Sequence, residues 1–465
     1  MSDKTSQRQR WLGVALAGAV LSAGCAGAQQ PSADPVTAAV DSPVAAVEAA
    51  DVDEGASAPE TSADAAEAGG APAARVTPDT TERARAEADR ERRREAIVSA
   101  ATRARRGDRA SARTDLQQML RDPEFGAYAA YNLGVIAAYE GQADQAQDYY
   151  RQALERDPGF GPAVVALVRG RLVEGDVAGA EQLVATQLRA SNNAAGVRAA
   201  GLLVTLARER YEQVITDTRA IMTSQPENLD AHYALAMANL GLGRHELATY
   251  ILQRGLGREA QRPDLYFGLA RVALDRGQDQ QARMYLTRAL DVEPNHLEAR
   301  VNLALLNLRA RNFEEAARLL EGVTSLAPRY QEAWLALGNA YKGLQRFDEA
   351  RQTFERAARL NDRYADPWFN LGLLYLDVDE FEGLDRIPRM ERAIAMFTEF
   401  RNRAGGTVGA DHPVHRHIAD ATQAIETQRE LDARPTFTEP AAGGDGDGGE
   451  GDGGGGFDDF DFDFD

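Results

Sequence analysis

The chain has 465 residues and a net charge of −20, with 27% charged and 7% aromatic side chains. Most of that charge sits at the ends: residues 26–75 carry nine acidic side chains against Arg75, residues 436–465 carry ten against no base, and residues 1–25 sum to +2. Residues 76–435 are therefore left near −4, which excludes a basic footprint for nucleic acid, and the single cysteine, Cys25, excludes an intramolecular disulfide.

In chain order, Lys4, Arg8 and Arg10 precede an apolar run from Trp11 to Val20. That run is shorter than a bilayer span and has the flanks of a secretory signal, so residues 1–24 are predicted to be a signal peptide. The signal closes on Leu21-Ser22-Ala23-Gly24-Cys25, which resembles a bacterial lipoprotein box, although the usual Leu stands one place further back. The resemblance implies lipid on Cys25, with several acyl chains holding the protein to the membrane. Ala26 in place of Asp implies, in that family, an outer-membrane lipoprotein facing the periplasm. The competing reading is an ordinary signal cleaved after Ala23 or Gly24.

Residues 25–79 are rich in Ala, Pro, Ser and acid and poor in large apolar side chains. They cannot bury enough surface to offset chain entropy and read as a disordered linker. From Thr80 to Glu95 strong helix formers carry acid and base at helical spacing, which predicts a solvated helix leading into the remainder of an array over 80–432.

The clearest unit of that array starts at Gln331. Trp334, Leu337, Gly338 and Tyr341 are followed by Phe347, Ala350, Phe354 and Ala357, a pattern that resembles the tetratricopeptide repeat (TPR). Steps of 34 residues keep the register back through Leu297, Pro263, Leu229, Ala195, Gly161 and Ala127 to Arg93, and a ninth unit opens with Trp368, Leu371, Gly372 and Tyr375. The fold expected is all-α, a right-handed superhelical TPR solenoid of about nine helix pairs. Small residues stand where backbones meet, large ones fill the stripes between them, and no unit buries its faces alone. In the ninth unit the second-helix motif, Ala393 to Phe400, arrives nine residues late, so residues 377–388 form an insertion, read either as a specificity loop or as drift at the end of an array. Residues 414–432 follow as a polar-faced capping helix.

The TPR resemblance implies a concave groove lined by the first helices. On that basis Tyr131, Tyr233, Phe267, Leu335, Asn339 and Phe369 are candidate peptide-binding residues, and their apolar, aromatic character suits an amphipathic helix or an extended peptide. The alternative is that these residues pack neighbouring helices together. Residues 433–465 form an acidic Gly/Asp/Phe segment predicted to be disordered, ending in Phe457, Phe460, Phe462 and Phe464 separated by Asp. It reads as a solvated tail, as a peptide that docks on a partner or on the chain's own groove, or as a calcium ligand through Asp445, Asp447, Glu450 and Asp452.

No phosphate loop, nucleophile elbow or dinucleotide fingerprint appears, and His412, His415 and His417 span a turn into a helix rather than a fixed ligand pair. The chain is expected not to be an enzyme and to need no cofactor or metal. It reads as a scaffold for other envelope proteins, touching the membrane through Cys25 and no nucleic acid. By layout alone it resembles the TPR lipoproteins of gliding-motility machinery. A chaperone-like periplasmic carrier for outer-membrane proteins is the alternative.

Overall fold

The computed structural model describes residues 80–434 apart from 362, 380, 406 and 407. The signal, Cys25, the linker and the acidic segment with Phe457, Phe460, Phe462 and Phe464 lie outside the described residues. Those described form an all-α solenoid whose helices pair in sequence. The pairs are α1 (Thr80–Arg105) with α2 (Arg109–Met119), α3 (Gly126–Tyr139) with α4 (Ala143–Arg156), and α5 (Gly161–Val173) with α6 (Val177–Ala190). Next come α7 (Ala195–Ala207) with α8 (Tyr211–Ser224), α9 (Leu229–Gly241) with α10 (His245–Leu256), and α11 (Pro263–Asp275) with α12 (Asp279–Val292). The last three pairs are α13 (Leu297–Arg309) with α14 (Phe313–Leu326), α15 (Gln331–Gly343) with α16 (Phe347–Leu360), and α17 (Asp366–Asp377) with α18 (Arg386–Ala404). The helix α19 (Pro413–Asp432) closes the stack. No helix among them is long and apolar enough to cross a membrane.

The two helices of a unit differ because their surroundings differ. First helices touch their own partner and both neighbouring units, so α11 buries Leu265, Phe267, Leu269, Val272 and Leu274 around most of its circumference. Second helices are covered on one side and amphipathic: α16 buries Ala350, Phe354 and Ala357 and leaves its charges outward. Within a unit a small residue faces a large one. The Phe354 ring fills the space above Gly338, where an added Cβ would lie 2.3 Å from it, and Phe397 and Tyr150 stand in the same way above Gly372 and Gly134.

Each of the first eight units turns from first to second helix through one left-handed residue. Residues 107, 141, 175, 209, 243, 277, 311 and 345 all have positive φ, at intervals of 34. The amide after it bonds back into the last turn, as in Gln142 N–H to Ala137 O at 2.9 Å and Asp176 N–H to Arg171 O at 2.8 Å. Five of the eight positions are glycine, which adopts this conformation without strain, and Glu209, Arg311 and Gln345 are not.

The lead-in and the first helix of unit one are a single helix, α1. Its first half is exposed, and from Ile97 it enters the core with Ala100 and Ala101. Arg90 and Arg93 pair with Glu124 at 2.5 Å and Asp122 at 3.0 Å, fixing α1 against the turn before α3.

Candidate protein-interaction surfaces

The structure places the predicted groove residues in two settings. Tyr131 and Tyr233 are half-buried and Asn339 keeps partial exposure. Phe267, Leu335 and Phe369 are buried inside the packing of adjacent units. The Asn339 side chain makes no hydrogen bond with any described residue, and its amide is partly exposed in unit eight.

Between Tyr131 and Phe267 the inner face is filled by charge. Arg169 of α5 pairs with Asp264 at the start of α11, across 95 positions. Arg262 bonds Asp230 at 2.7 Å and lies 3.6 Å from Asp264. His296, the residue before α13, brings Nε2 within 3.4 Å of Asp264 and Nδ1 within 3.3 Å of Glu298. The Arg169 guanidinium also stands 5.8 Å above the Tyr233 ring.

Burial alone would raise the Asp264 carboxyl; Arg169, the His296 hydrogen bond and Arg262 hold it well below the usual carboxylate range. Burial likewise opposes charge on His296, but Glu298, Asp264 and Glu293 outweigh it and push the imidazole up to about 9. Nε2 hydrogen-bonds the Asp264 carboxylate, and a Glu298 oxygen stands 3.3 Å from Nδ1 at ion-pair distance. The Ala299 amide also points at Nδ1, at 3.3 Å, where His296 caps α13. Burial pushes the Tyr131 and Tyr233 phenols up to about 12, and it raises the Glu293 carboxyl.

The same face is closed from unit to unit. Asn295 donates to the carbonyls of Ala138 at 3.1 Å and Tyr139 at 2.7 Å, 157 and 156 positions away. Arg300 holds the Asn295 oxygen at 2.7 Å, which aims the amide NH₂ at the end of α3. Leu326 lies where a Cβ on Gly141 would be, 2.9 Å from it, and Arg329 comes within 3.9 Å of Glu174. Units two and three thus meet units six and seven, and the groove between them is occupied by the chain's own side chains rather than left as an open apolar channel. Asp230, Arg262, Asp264 and His296 are not among the groove candidates of the sequence, because they precede or open their helices and nothing in the 34-residue pattern singles them out.

The far end is built differently. Of the nine extra residues in unit nine, five lengthen the turn between α17 and α18, and four extend the start of α18, counting Phe354 against Phe397. The lengthened turn folds back on the array. Phe381 is buried against Tyr375 and Phe347 at 5.1 and 6.5 Å, and Glu382 binds Arg351, Arg392 and the Tyr375 hydroxyl, each at 2.9 Å. Phe369 has no following unit to cover it; α19 does so instead, with His412 and His417 both 5.8 Å from its ring and His417 stacked on Phe397 at 5.5 Å. Among the described residues no group of three or more His, Cys, Asp or Glu is placed to hold a metal ion.

Solved structures similar to parts of the chain include MamA from Desulfovibrio magneticus, at 21% identity and a TM-score of 0.33 over 37% of this chain and 92% of that one. Others are pilF from Pseudomonas aeruginosa, at 17%, 0.39, 51% and 98%, and a tetratricopeptide repeat protein from Parabacteroides merdae, at 14%, 0.35, 56% and 98%. At TM-scores below 0.5 none of them bears on the geometry of this array. No curated protein matches. Family models described as tetratricopeptide repeat match residues 137–201, 273–325 and 307–371, and residues 99–159 and 198–264. Together these spans take in more than half of the chain, and with the paired helices in 34-residue register they show that it belongs to the tetratricopeptide repeat family.

Proposed function

We propose that this protein is an interaction scaffold of the bacterial cell envelope, tethered through lipid on Cys25 and holding partners of a multiprotein assembly, of which a motility machine is one form. The observation that carries the reading is the commitment of every described helix pair to stacking on its neighbours, which leaves surface as what the fold offers to other molecules. Tetratricopeptide arrays bind proteins by such surfaces. The inner face at units eight and nine, beyond the closure, still presents the Asn339 amide and the half-exposed Leu373. The tether reading rests on Leu21 to Cys25 and on the acidic segment 26–75 that follows.

The test is crosslinking in the native cells, comparing the full chain, Cys25→Ser and a form ending at Pro440. Capture of one or two stoichiometric envelope partners, weakened by Cys25→Ser, is the expected result. A broad collection of exported proteins, unaffected by Cys25→Ser, would replace the scaffold with a carrier for outer-membrane proteins.

A further inference from the structure

Among the described residues the large exposed apolar side chains are Val135 and Tyr139 on α3, Leu431 on α19, and a group of three on the second helices of units five and six. On the outer face Leu247, Tyr250 and Met284 are 45, 56 and 52% exposed. Tyr250 and Met284 hold the same place on α10 and α12, 34 positions apart, and so do Arg254 and Arg288. In the units on either side the Tyr250 place is taken by Thr216 and Arg318, so the apolar patch is confined to units five and six. Its acidic neighbours Glu246 and Asp279 are engaged by Arg276 at 2.5 Å and Arg309 at 2.9 Å. Arg254 touches only Tyr250, 5.9 Å from its ring, with Nη1 3.3 Å from the hydroxyl. Arg288 reaches no more than Asp291 on its own helix, at 3.7 Å. The patch is thus aromatic and aliphatic, with Arg254 paired with no carboxylate among the described residues and Arg288 only with Asp291, and it fits an anionic segment that carries aromatic rings.

The chain contains such a segment. Phe457 to Asp465 holds four Phe and five Asp. In an extended strand Phe460, Phe462 and Phe464 share one face, and Asp458 shares it too, while the remaining acids face away. That face spans roughly 20 Å at about 3.3 Å per residue, enough to bridge two helices packed about 10 Å apart. Twenty-two residues separate Arg434 from Phe457. At about 3.5 Å each they reach up to roughly 75 Å, against three or four stacked units of about 10 Å from the end of the array to the patch. We infer that Phe457–Asp465 docks within the same molecule on the outer face of units five and six. Phe460, Phe462 and Phe464 lie on Leu247, Tyr250 and Met284, and Asp458, on the same face, meets one of the two guanidiniums. Tethering supplies an effective concentration near the millimolar range, so modest contacts suffice to keep the patch covered until a partner displaces the segment.

The experiment titrates a fluorescein-labelled peptide of residues 452–465 into full-length chains. The chain with all four tail Phe changed to Ser is expected to bind it, and the unaltered chain to bind at least tenfold more weakly because its own segment occupies the patch. Adding Tyr250→Ser and Met284→Ser to the Phe-to-Ser chain is expected to cut affinity at least tenfold. Both side chains are more than half exposed, and unchanged circular dichroism checks that the fold survives. A Phe-to-Ser peptide must not bind; if it does, charge alone accounts for the attraction and the inference fails. It also fails if the patch variants bind normally, or if the unaltered chain binds as tightly as the Phe-to-Ser chain. Concentration-dependent dimers of the unaltered chain that the Phe-to-Ser changes abolish would move the segment to a second copy and overturn docking within one molecule.

Discussion

Arg169 and Asp264 form an ion pair between the third and sixth repeats, 95 positions apart, with the carboxylate buried and the guanidinium 27% exposed. Solenoid units ordinarily touch only their neighbours, so this pair, together with the Asn295 contacts at the end of α3, converts a linear stack into one closed on itself. Removing one partner strands the other. Arg169→Leu is expected to cost about 3 kcal/mol, the lower end for a broken buried pair because the guanidinium is partly solvated. The urea midpoint of unfolding measures it.

Asn295→Ala separates closure from stability. It removes two hydrogen bonds to backbone carbonyls at roughly 1 kcal/mol each, while every helix pair keeps its neighbours. Helicity should hold and the radius of gyration from small-angle scattering should rise. An unchanged radius would show that Leu326 against Gly141 and the Arg169 pair close the array without Asn295.

Stability should depend on pH with opposite signs at two places in the array, the closure and the capping helix. His296 is raised in the fold to about 9 from an unfolded value near 6.5. Its contribution is complete below pH 6.5 and is lost as pH rises through 9, because the folded state holds a proton that the unfolded state has released. His417 is depressed by burial against Phe369 and Phe397. Its contribution is complete above pH 6.5 and falls as the solution is acidified below that point. Urea midpoints between pH 5 and 10 should therefore decline on both sides. His296→Gln should flatten the alkaline limb and His417→Gln the acid one; an alkaline limb that persists in His296→Gln would assign it to another group.

The register of the array was legible because it is written in local chemistry. Gly338 beside Phe354, Ala350 and the Trp334 stripe repeat every 34 residues, and the helix starts at Gly161, Ala195, Leu229, Pro263, Leu297 and Gln331 fall where the periodicity puts them. The groove was less legible. Whether it stands open depends on small rotations summed over four or five units, and the residues that decide it, Asp230, Asp264, Asn295 and His296, carry no periodic mark. The inner-face positions of the repeat accordingly include Phe267, Leu335 and Phe369, whose side chains are spent on packing, while the charged closure beside them leaves no periodic signature. Phe369 illustrates the cause: its place in the repeat is an inner-face position, but the last unit has no successor, and α19 covers it.

The left-handed turn gives a stabilising prediction. Glu209, Arg311 and Gln345 have φ of 56, 60 and 59° where five other units have glycine. A side chain in this region costs about 1 kcal/mol or more, offset in part by the greater freedom glycine has when unfolded. Gln345→Gly and Arg311→Gly are each expected to stabilise by about 0.5 kcal/mol, additively because the sites lie in separate units. Gly141→Ala should act the other way and more strongly, since it takes on the strain and also drives a Cβ to 2.9 Å from Leu326; its loss should exceed that of Gly175→Ala, which has the same φ sign and open space. Equal losses at 141 and 175, read from thermal unfolding, would mean that Leu326 yields freely and that the closure is loose there.

Gly338 and Phe354 test how unit eight is held together. A Cβ at 338 would stand 2.3 Å from the Phe354 ring, and that ring is fully buried between α15, α16 and α17, so it has nowhere to swing. Gly338→Ala is expected to destabilise by about 1–3 kcal/mol as an overpacked site, although alanine is the better helix former. Phe354→Ala should cost about 3–5 kcal/mol through the cavity it leaves. Phe354→Leu is the informative partner: it shortens the side chain at the point of collision, so Gly338→Ala should cost less in the Phe354→Leu background than in the unaltered chain. A double-mutant cycle on denaturant midpoints measures this coupling. If instead the two losses simply add, the collision at 338 is relieved by movement of α15 as a whole, and the small-against-large pairing would be a matter of spacing between helices rather than of this ring.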